Sequence, residues 1–216
     1  MAFPRGFANG VVLPDGTVLV TGGQRRSLVF TDTDGILYAE LFNPVTKTWR
    51  TLAPEAVPRN YHAISILLPD ARVFTGGGGL CYVGTIGGST ANCNKAVDHA
   101  DGQIFEPPYL FNAAGSLATR PVITAISASV LRVGTAIQVT VTGGNAGKLV
   151  LVRIGSVTHS INSDQRRIPL VTSVNGNTYS ATIPNDSGVV IPGYWYLFVV
   201  SGSGVPSSAR TVRITR

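Results

Sequence analysis

The sequence predicts an all-β protein made of two unlike parts, and three observations predict it. First, 25 Gly and 13 Pro are spread along the 216 residues and not pooled in one linker. That is the punctuation of many tight turns between short strands. Second, residues 4–23 and 58–78 repeat one another. Third, beyond residue 118 the repeat stops and alternating apolar and polar residues take over. A hydrophobic content of 44% with only 13% charged residues suits a chain that buries a core. No segment carries convincing helical periodicity.

The repeat reads PRGFANGVVLPDGTVLVTGG in its first copy and PRNYHAISILLPDARVFTGGG in its second. Each opens on Pro-Arg-x-aromatic and runs through an apolar strand to Leu-Pro-Asp, a second apolar strand and a Gly pair. Pro14-Asp15-Gly16 and Pro69-Asp70-Ala71 are expected tight turns, with Pro presetting φ. Val11–Leu13 and 64–68 are expected inner strands, and 18–20 and 72–74 return antiparallel. Glu40–Pro44 with Thr48-Trp49 read as outer strands of the first unit, and Gln103–Pro108 takes that place in the second. The offset of about 55 residues is close to the kelch period of roughly 50. Each unit therefore reads as a blade of a kelch-type β-propeller. Closure takes about four to eight blades, so two blades are expected to be a fragment or to dock on a missing partner.

Thr119-Arg120-Pro121 opens a different unit. Ile137, Val139 and Val141 alternate with polar neighbours, as in a half-buried strand. Leu149–Ile154 is apolar on both faces, as at the centre of a sandwich, and Tyr194–Val200 reads as another buried strand. Asn175-Gly176 between two strand-like runs is a hairpin signal. About seven short strands in about 98 residues predict an immunoglobulin-like sandwich. The expected division is 1–118 for the partial propeller and 119–216 for the sandwich.

The net charge of +6 is carried by isolated pairs such as Arg25-Arg26 and Arg166-Arg167, without clustering among aromatics, which argues against nucleic-acid binding. No stretch has the apolar length of a membrane span. No apolar leader follows Met1, so either the protein is cytosolic or its true N-terminus lies upstream. Cys81 and Cys93, close together in a Gly/Ser/Thr-rich stretch, read as a local disulfide of an oxidising compartment or as two free thiols. Asn185-Asp186-Ser187 is a formal glycosylation sequon.

Chemistry centres on Tyr61-His62, at the mouth of the second repeat's inner strand, where the first repeat has Phe7-Ala8. The scaffold thus wants an aromatic there but needs neither a phenol nor an imidazole. The plain alternative is a core tyrosine beside a solvated rim histidine. Adjacent strand residues face opposite sides, so both can serve one metal only if the backbone turns at that point. His159, in Val157-Thr158-His159-Ser160, reads as a loop histidine, and His99 as structural or as a neighbour of the site. One Tyr and two His suit Cu(II), which takes tetragonal N,O ligation; zinc could use the histidines but rarely a tyrosine. The run Gly76–Gly79 has no helix after it and is no dinucleotide fingerprint.

Arg59–Ser65, Leu67–Asp70, Gly76–Cys81, Thr158-His159, Asp164–Pro169 and Pro192–Trp195 together resemble the galactose oxidase/glyoxal oxidase family of copper-radical oxidases, over essentially the whole chain. The resemblance implies the last blades of a seven-bladed propeller followed by an immunoglobulin-like (early set) sandwich, one loop of which enters the propeller channel. It implies copper bound by Tyr61 (axial), His62 and His159 (equatorial), with Tyr61 as general base. Phe30 matches a pocket aromatic that packs against substrate, and Phe7 falls near the same channel. Cys81 and Cys93 match the family's loop disulfide, across a longer loop. The implied reaction oxidises a primary alcohol, aldehyde or sugar with O2, giving H2O2, in a secreted enzyme. The crosslinked Tyr–Cys radical cofactor belongs to earlier blades, absent here, so the chain alone is expected to be inactive. Two other readings stay open: a carbohydrate or cell-wall binding module, and an enzyme whose missing blades come from another chain.

Overall fold

The computed structural model of the chain describes residues 1–79, 97–144 and 147–216. The first repeat forms β1 (Asn9–Val12), β2 (Val18–Thr21), β3 (Tyr38–Asn43) and β4 (Thr48–Pro54), an antiparallel sheet in chain order. The second forms β5 (Ile64–Leu67), β6 (Val73–Gly76) and β7 (Gly102–Phe105), again in chain order. After β7 the expected outer strand ends, because Pro107 and Pro108 lack the N–H a ladder needs. A 3-10 turn, Pro108–Leu110, takes its place.

The two Leu-Pro-Asp turns match bond for bond. Gly16 N–H donates to the Leu13 carbonyl (3.0 Å) and Thr17 N–H to Asp15 Oδ1 (3.0 Å). Ala71 N–H donates to the Leu68 carbonyl (3.0 Å) and Arg72 N–H to Asp70 Oδ1 (3.0 Å). Ala71, with φ of 67°, stands in the left-handed region that Gly16 (φ of 101°) occupies at little steric cost.

The rest of the chain supplies β8 (Val122–Ile126), β9 (Val130–Arg132), β10 (Ala136–Thr142), β11 (Gly147–Arg153), β12 (Val157–Thr158), β13 (Ile161–Asn162), β14 (Arg167–Pro169), β15 (Thr172–Asn175), β16 (Thr178–Thr182), β17 (Gly193–Ser201) and β18 (Arg210–Thr215). One sheet runs β15-β16-β10-β8 and the other β14-β11-β17-β18-β9, with β9 parallel to β18. Strands β12 and β13 form a small separate hairpin. The described sandwich is thus richer than the seven strands expected, since short edge strands such as β9 and β14 leave little sequence pattern.

Leu149, Leu151, Leu197 and Val199 join Ile137, Val139 and Trp195 in the core between these two sheets. Val150, Val152, Phe198 and Val200, the alternate residues of the same strands, pack instead against Val11, Leu13, Leu19, Leu67 and Val73 of the repeats. This explains why β11 is apolar on both faces: one side meets the second sheet and the other meets the repeat sheets. Each such fully buried side chain contributes roughly 1.5–3 kcal/mol, so the contact is a second core.

Polar latches follow the same seam. Gln165 accepts from Val12 N–H (2.7 Å) and donates to the Gly10 carbonyl (2.7 Å), imitating a neighbouring strand along the open side of β1. Arg167 Nε donates to the Pro14 carbonyl (2.8 Å), and Arg120 Nη2 to that of Asp70 (2.7 Å). Both Leu-Pro-Asp turns are therefore gripped from the sandwich side. Among the described residues no helix is long and apolar enough to cross a membrane.

Candidate metal centre

Arg59 anchors the segment that carries Tyr61 and His62. Its side chain is fully buried and donates through Nη1 to the Gly77 carbonyl (2.9 Å) and to Asp101 Oδ1 (2.9 Å). Ala63 N–H then donates to the Asn60 carbonyl (2.9 Å), closing a turn over residues 60–63. Tyr61 and His62 are its two central residues, with His62 at φ of 72°. β5 begins only at Ile64, so strand alternation does not apply to the pair. Their ring centroids lie 4.0 Å apart.

The strand registers correct the sequence pairing of Tyr61-His62 with Phe7-Ala8. Asn9 pairs with Thr21 as Ile64 pairs with Gly76, so Ala8 matches Ala63 and Phe7 matches His62. Both residues that precede the Ala are left-handed, Phe7 at 60° and His62 at 72°. Between the buried Arg and the inner strand, the first repeat has Gly6-Phe7-Ala8 and the second Asn60-Tyr61-His62-Ala63. The second repeat carries one more residue, and that residue opens the turn that presents the phenol beside the imidazole.

His159 arrives from the sandwich. It and Ser160 form the two-residue tip of the β12–β13 hairpin, with φ of 51° and 63°. Two left-handed residues are what a type I′ turn requires, and Asn-Gly is the usual choice. His-Ser there costs of order 1–3 kcal/mol per strained residue, and the strain is held from outside. Ser160 N–H donates to the Ala63 carbonyl (3.0 Å), and Ser160 Oγ to that of Asn60 (3.4 Å). The His159 ring sits 4.6 Å from His62 and 5.7 Å from Tyr61, centroid to centroid.

Phe7 lies 5.1 Å from the Tyr61 ring, and Phe30 lies 5.7 Å from both Tyr61 and His62. The structure thus gathers Tyr61, His62, His159, Phe30 and Phe7 in one cluster. Of the eight non-glycine residues with positive φ among the described residues, Phe7, Phe30, His62 and His159 belong to it and Ser160 adjoins it. Such concentration of backbone strain marks a site whose geometry the surroundings impose.

The donor set fits a metal that takes N and O ligands. His62 Nδ1 lies 2.9 Å from the Gly79 carbonyl. A carbonyl only accepts, so Nδ1 carries the proton and Nε2 keeps its lone pair for a metal. His159 Nδ1 lies 2.6 Å from Thr158 Oγ1, a hydroxyl that serves either tautomer. Among the described residues no three His, Cys, Asp or Glu side chains gather; beside the two imidazoles stands the Tyr61 ring. Cys81 and Cys93 lie outside the described residues.

His99 stands apart from the rings. Its Nε2 is 2.9 Å from Asp32 Oδ2, and Asp32 Oδ1 accepts from Asn60 Nδ2 (3.1 Å). Sequence reasoning missed Asn60, Asp32 and Ser160. The Gly6-to-Asn60 difference between the repeats was the one available signal for the first of them.

Three comparisons bear on this geometry. Residues 120–214 match the family described as "Galactose oxidase-like, Early set domain". The chain is 48% identical over 215 residues to a galactose oxidase of Gibberella zeae, covering 99% of the chain and 30% of that protein. It is 28% identical over 231 residues to an aldehyde oxidase of Arabidopsis thaliana, covering 99% of the chain and 36% of that protein. A solved fungal alcohol oxidase of the AA5 family, in complex with copper, superposes with a TM-score of 0.89 at 42% identity, over 98% of this chain and 43% of that one. The chain therefore spans about a third of the length of these curated relatives.

Proposed function

We propose, from the match of residues 120–214 to the galactose oxidase-like early set family, that the chain is the C-terminal portion of a secreted copper-radical oxidase. It divides near residue 118 into two propeller blades and a sandwich. The whole enzyme oxidises a primary alcohol or aldehyde with O2: two electrons and two protons leave the substrate and O2 becomes H2O2. The observation that carries this reading is the convergence of one phenol and two imidazoles from two remote parts of the chain, with ring centroids 4.0, 4.6 and 5.7 Å apart.

Tyr61, His62 and His159 would hold copper, His62 through Nε2. Copper bound there would supply a Lewis acid and a one-electron acceptor. Tyr61 Oη takes the proton of the substrate hydroxyl. Phe30 and Phe7 give the substrate carbon an apolar wall and keep water from it. The Gly79 carbonyl holds the His62 ring at its tautomer, and Ser160 holds the His159 tip in place. By the family resemblance, a crosslinked Tyr–Cys of earlier blades would supply the acceptor for the second electron. The 216-residue chain alone is then expected to bind copper without turning over.

Copper titration followed by electron paramagnetic resonance tests the reading. One tetragonal Cu(II) per chain with nitrogen hyperfine structure is expected, lost in His159→Ala. A copper spectrum indifferent to that substitution, or alcohol-dependent H2O2 from the chain alone, overturns it. The reading also carries a Cys81–Cys93 disulfide, which peptide mapping without reduction checks.

A further inference from the structure

Asn60 occupies an unusual junction. It is 2% exposed. Its Nδ2 donates to the Thr31 carbonyl (2.8 Å) and to Asp32 Oδ1 (3.1 Å), on the first-repeat loop that carries Phe30. Its own carbonyl accepts from Ala63 N–H (2.9 Å), closing the Tyr61-His62 turn, and from Ser160 Oγ (3.4 Å) at the His159 tip. One residue thus touches the three segments that deliver Phe30, the Tyr61-His62 pair and His159.

The Phe30 loop needs such a hold. Phe30 is 40% exposed, stands at φ of 56° and follows the exposed Leu28 and Val29. Its ring meets those of Tyr61 and His62, each at 5.7 Å, and the buried Gln24 amide donates to the Leu28 carbonyl two residues before it. Asp32 is held on its other side by His99, whose Nε2 lies 2.9 Å from Asp32 Oδ2. The His99 N–H in turn donates to the Gly78 carbonyl (3.2 Å), just past β6. In the first repeat the position of Asn60 is Gly6, where a Cβ would overlap Ser27 Oγ. That position has no room for a side chain, whereas the second repeat uses it to reach across to its neighbour.

We propose that Asn60, backed by Asp32 and His99, is a positioning residue that sets the distance between the Phe30 wall and Tyr61. The role adds to the copper site proposed above and rests on it for its purpose, though the strap itself is read from metal-free contacts. The Asn60 side chain bonds to Thr31 and Asp32. It acts through the backbone it pins.

The experiment uses Asn60→Asp, which keeps size but turns the Nδ2 donor into an acceptor facing the Thr31 carbonyl and the Asp32 carboxylate. In the metal-free chain, ring-proton NOEs between Phe30 and Tyr61 are expected to fall by at least half. The Tyr196–Phe198 ring pair in the sandwich, at 6.0 Å, should hold and so reports an intact fold. Copper affinity is expected to fall about tenfold, as for other groups that orient ligands. Adding Asp32→Asn to that variant supplies an amide donor to the new carboxylate at position 60 and should return part of the lost NOE intensity. Full Phe30–Tyr61 NOEs in Asn60→Asp, or no recovery in the double variant, overturns the proposal.

Should Asn60→Asp fail to fold, His99→Ala tests the strap from its far end. It should weaken the Phe30–Tyr61 NOEs and spare those between Tyr61 and His159. Unchanged Phe30–Tyr61 NOEs there overturn it as well. If the wild-type chain shows the expected NOEs but binds no copper, the metal reading fails while the strap stands.

Discussion

The two repeats share a scaffold and differ in what they present. Each buries an arginine that donates to the carbonyl of an equivalent glycine, Arg5 to Gly22 (2.7 Å) and Arg59 to Gly77 (2.9 Å). Each makes the same Leu-Pro-Asp turn and offers a carbonyl of it to an arginine of the sandwich side. Yet Arg5 pairs with a buried carboxylate, Glu40, whose side chain is 1% exposed, while Arg59 pairs with Asp101 at 60%. By strand register Gln103 stands in the second repeat where Glu40 stands in the first. Between arginine and strand, one added residue turns a Gly-Phe-Ala link into the Asn60–Ala63 turn. The lesson is that the Tyr61-His62 pair is presented where the second repeat is one residue longer, while the hydrogen-bonded frame around it is kept.

Breaking the comparison begins with deletion of Tyr61, which restores the first repeat's link length. The chain should keep its sheets by circular dichroism and lose copper binding altogether. Retained affinity would mean that the added residue is incidental. Next come the arginines. Arg5→Met leaves Glu40 buried and unpaired and should cost about 3–5 kcal/mol in urea denaturation. Arg59→Met leaves Asp101 to water and should cost measurably less. Equal costs would erase the difference in partner burial.

Glu55 joins the repeats, accepting from Gly22 N–H (3.0 Å) and Thr75 Oγ1 (2.7 Å). Burial pushes its carboxyl above the usual range, against the pull of those bonds and of Arg59 and Arg5. The folded state therefore holds the Glu55 proton more tightly than the unfolded state. Stability should fall as pH rises from the ordinary carboxyl value through the raised folded one, then level. Glu55→Gln should flatten that slope, measured by denaturation between those pH limits. The smallest effect is expected at the turns. Ala71→Gly relieves a left-handed alanine and should stabilise by less than about 1 kcal/mol, because glycine's extra unfolded-state freedom offsets part of the roughly 1–2 kcal/mol gained. Gly16→Ala should do the reverse, since its Cβ would meet the Arg167 guanidinium at 3.2 Å.

The frame was legible because its signals are local. Leu-Pro-Asp names its own turn, and the alternation of Ile137, Val139 and Val141 names a half-buried strand. Asn175-Gly176 does mark a hairpin, although the register puts Gly176-Asn177 at its tip and leaves Asn175 as the last residue of β15, with Gly176 at φ of 56°. The site was less legible. Tyr61, His62 and His159 come together as a set through family resemblance, since nothing local says that positions 98 residues apart meet. The His159-Ser160 tip reads as a loop in sequence because neither residue favours two successive left-handed positions, and the bonds to Ala63 and Asn60 that hold it are long-range. The two-sided burial of β11 was visible, but its cause, a second core against the repeats, needed the packing.

A crystal of the full 216-residue chain grown with Cu(II), with anomalous data at the copper edge, bears most directly on the site. The account predicts a single strong peak within bonding distance of Tyr61 Oη, His62 Nε2 and a ring nitrogen of His159. A peak that leaves out any of the three, or copper held elsewhere on the chain, would contradict it.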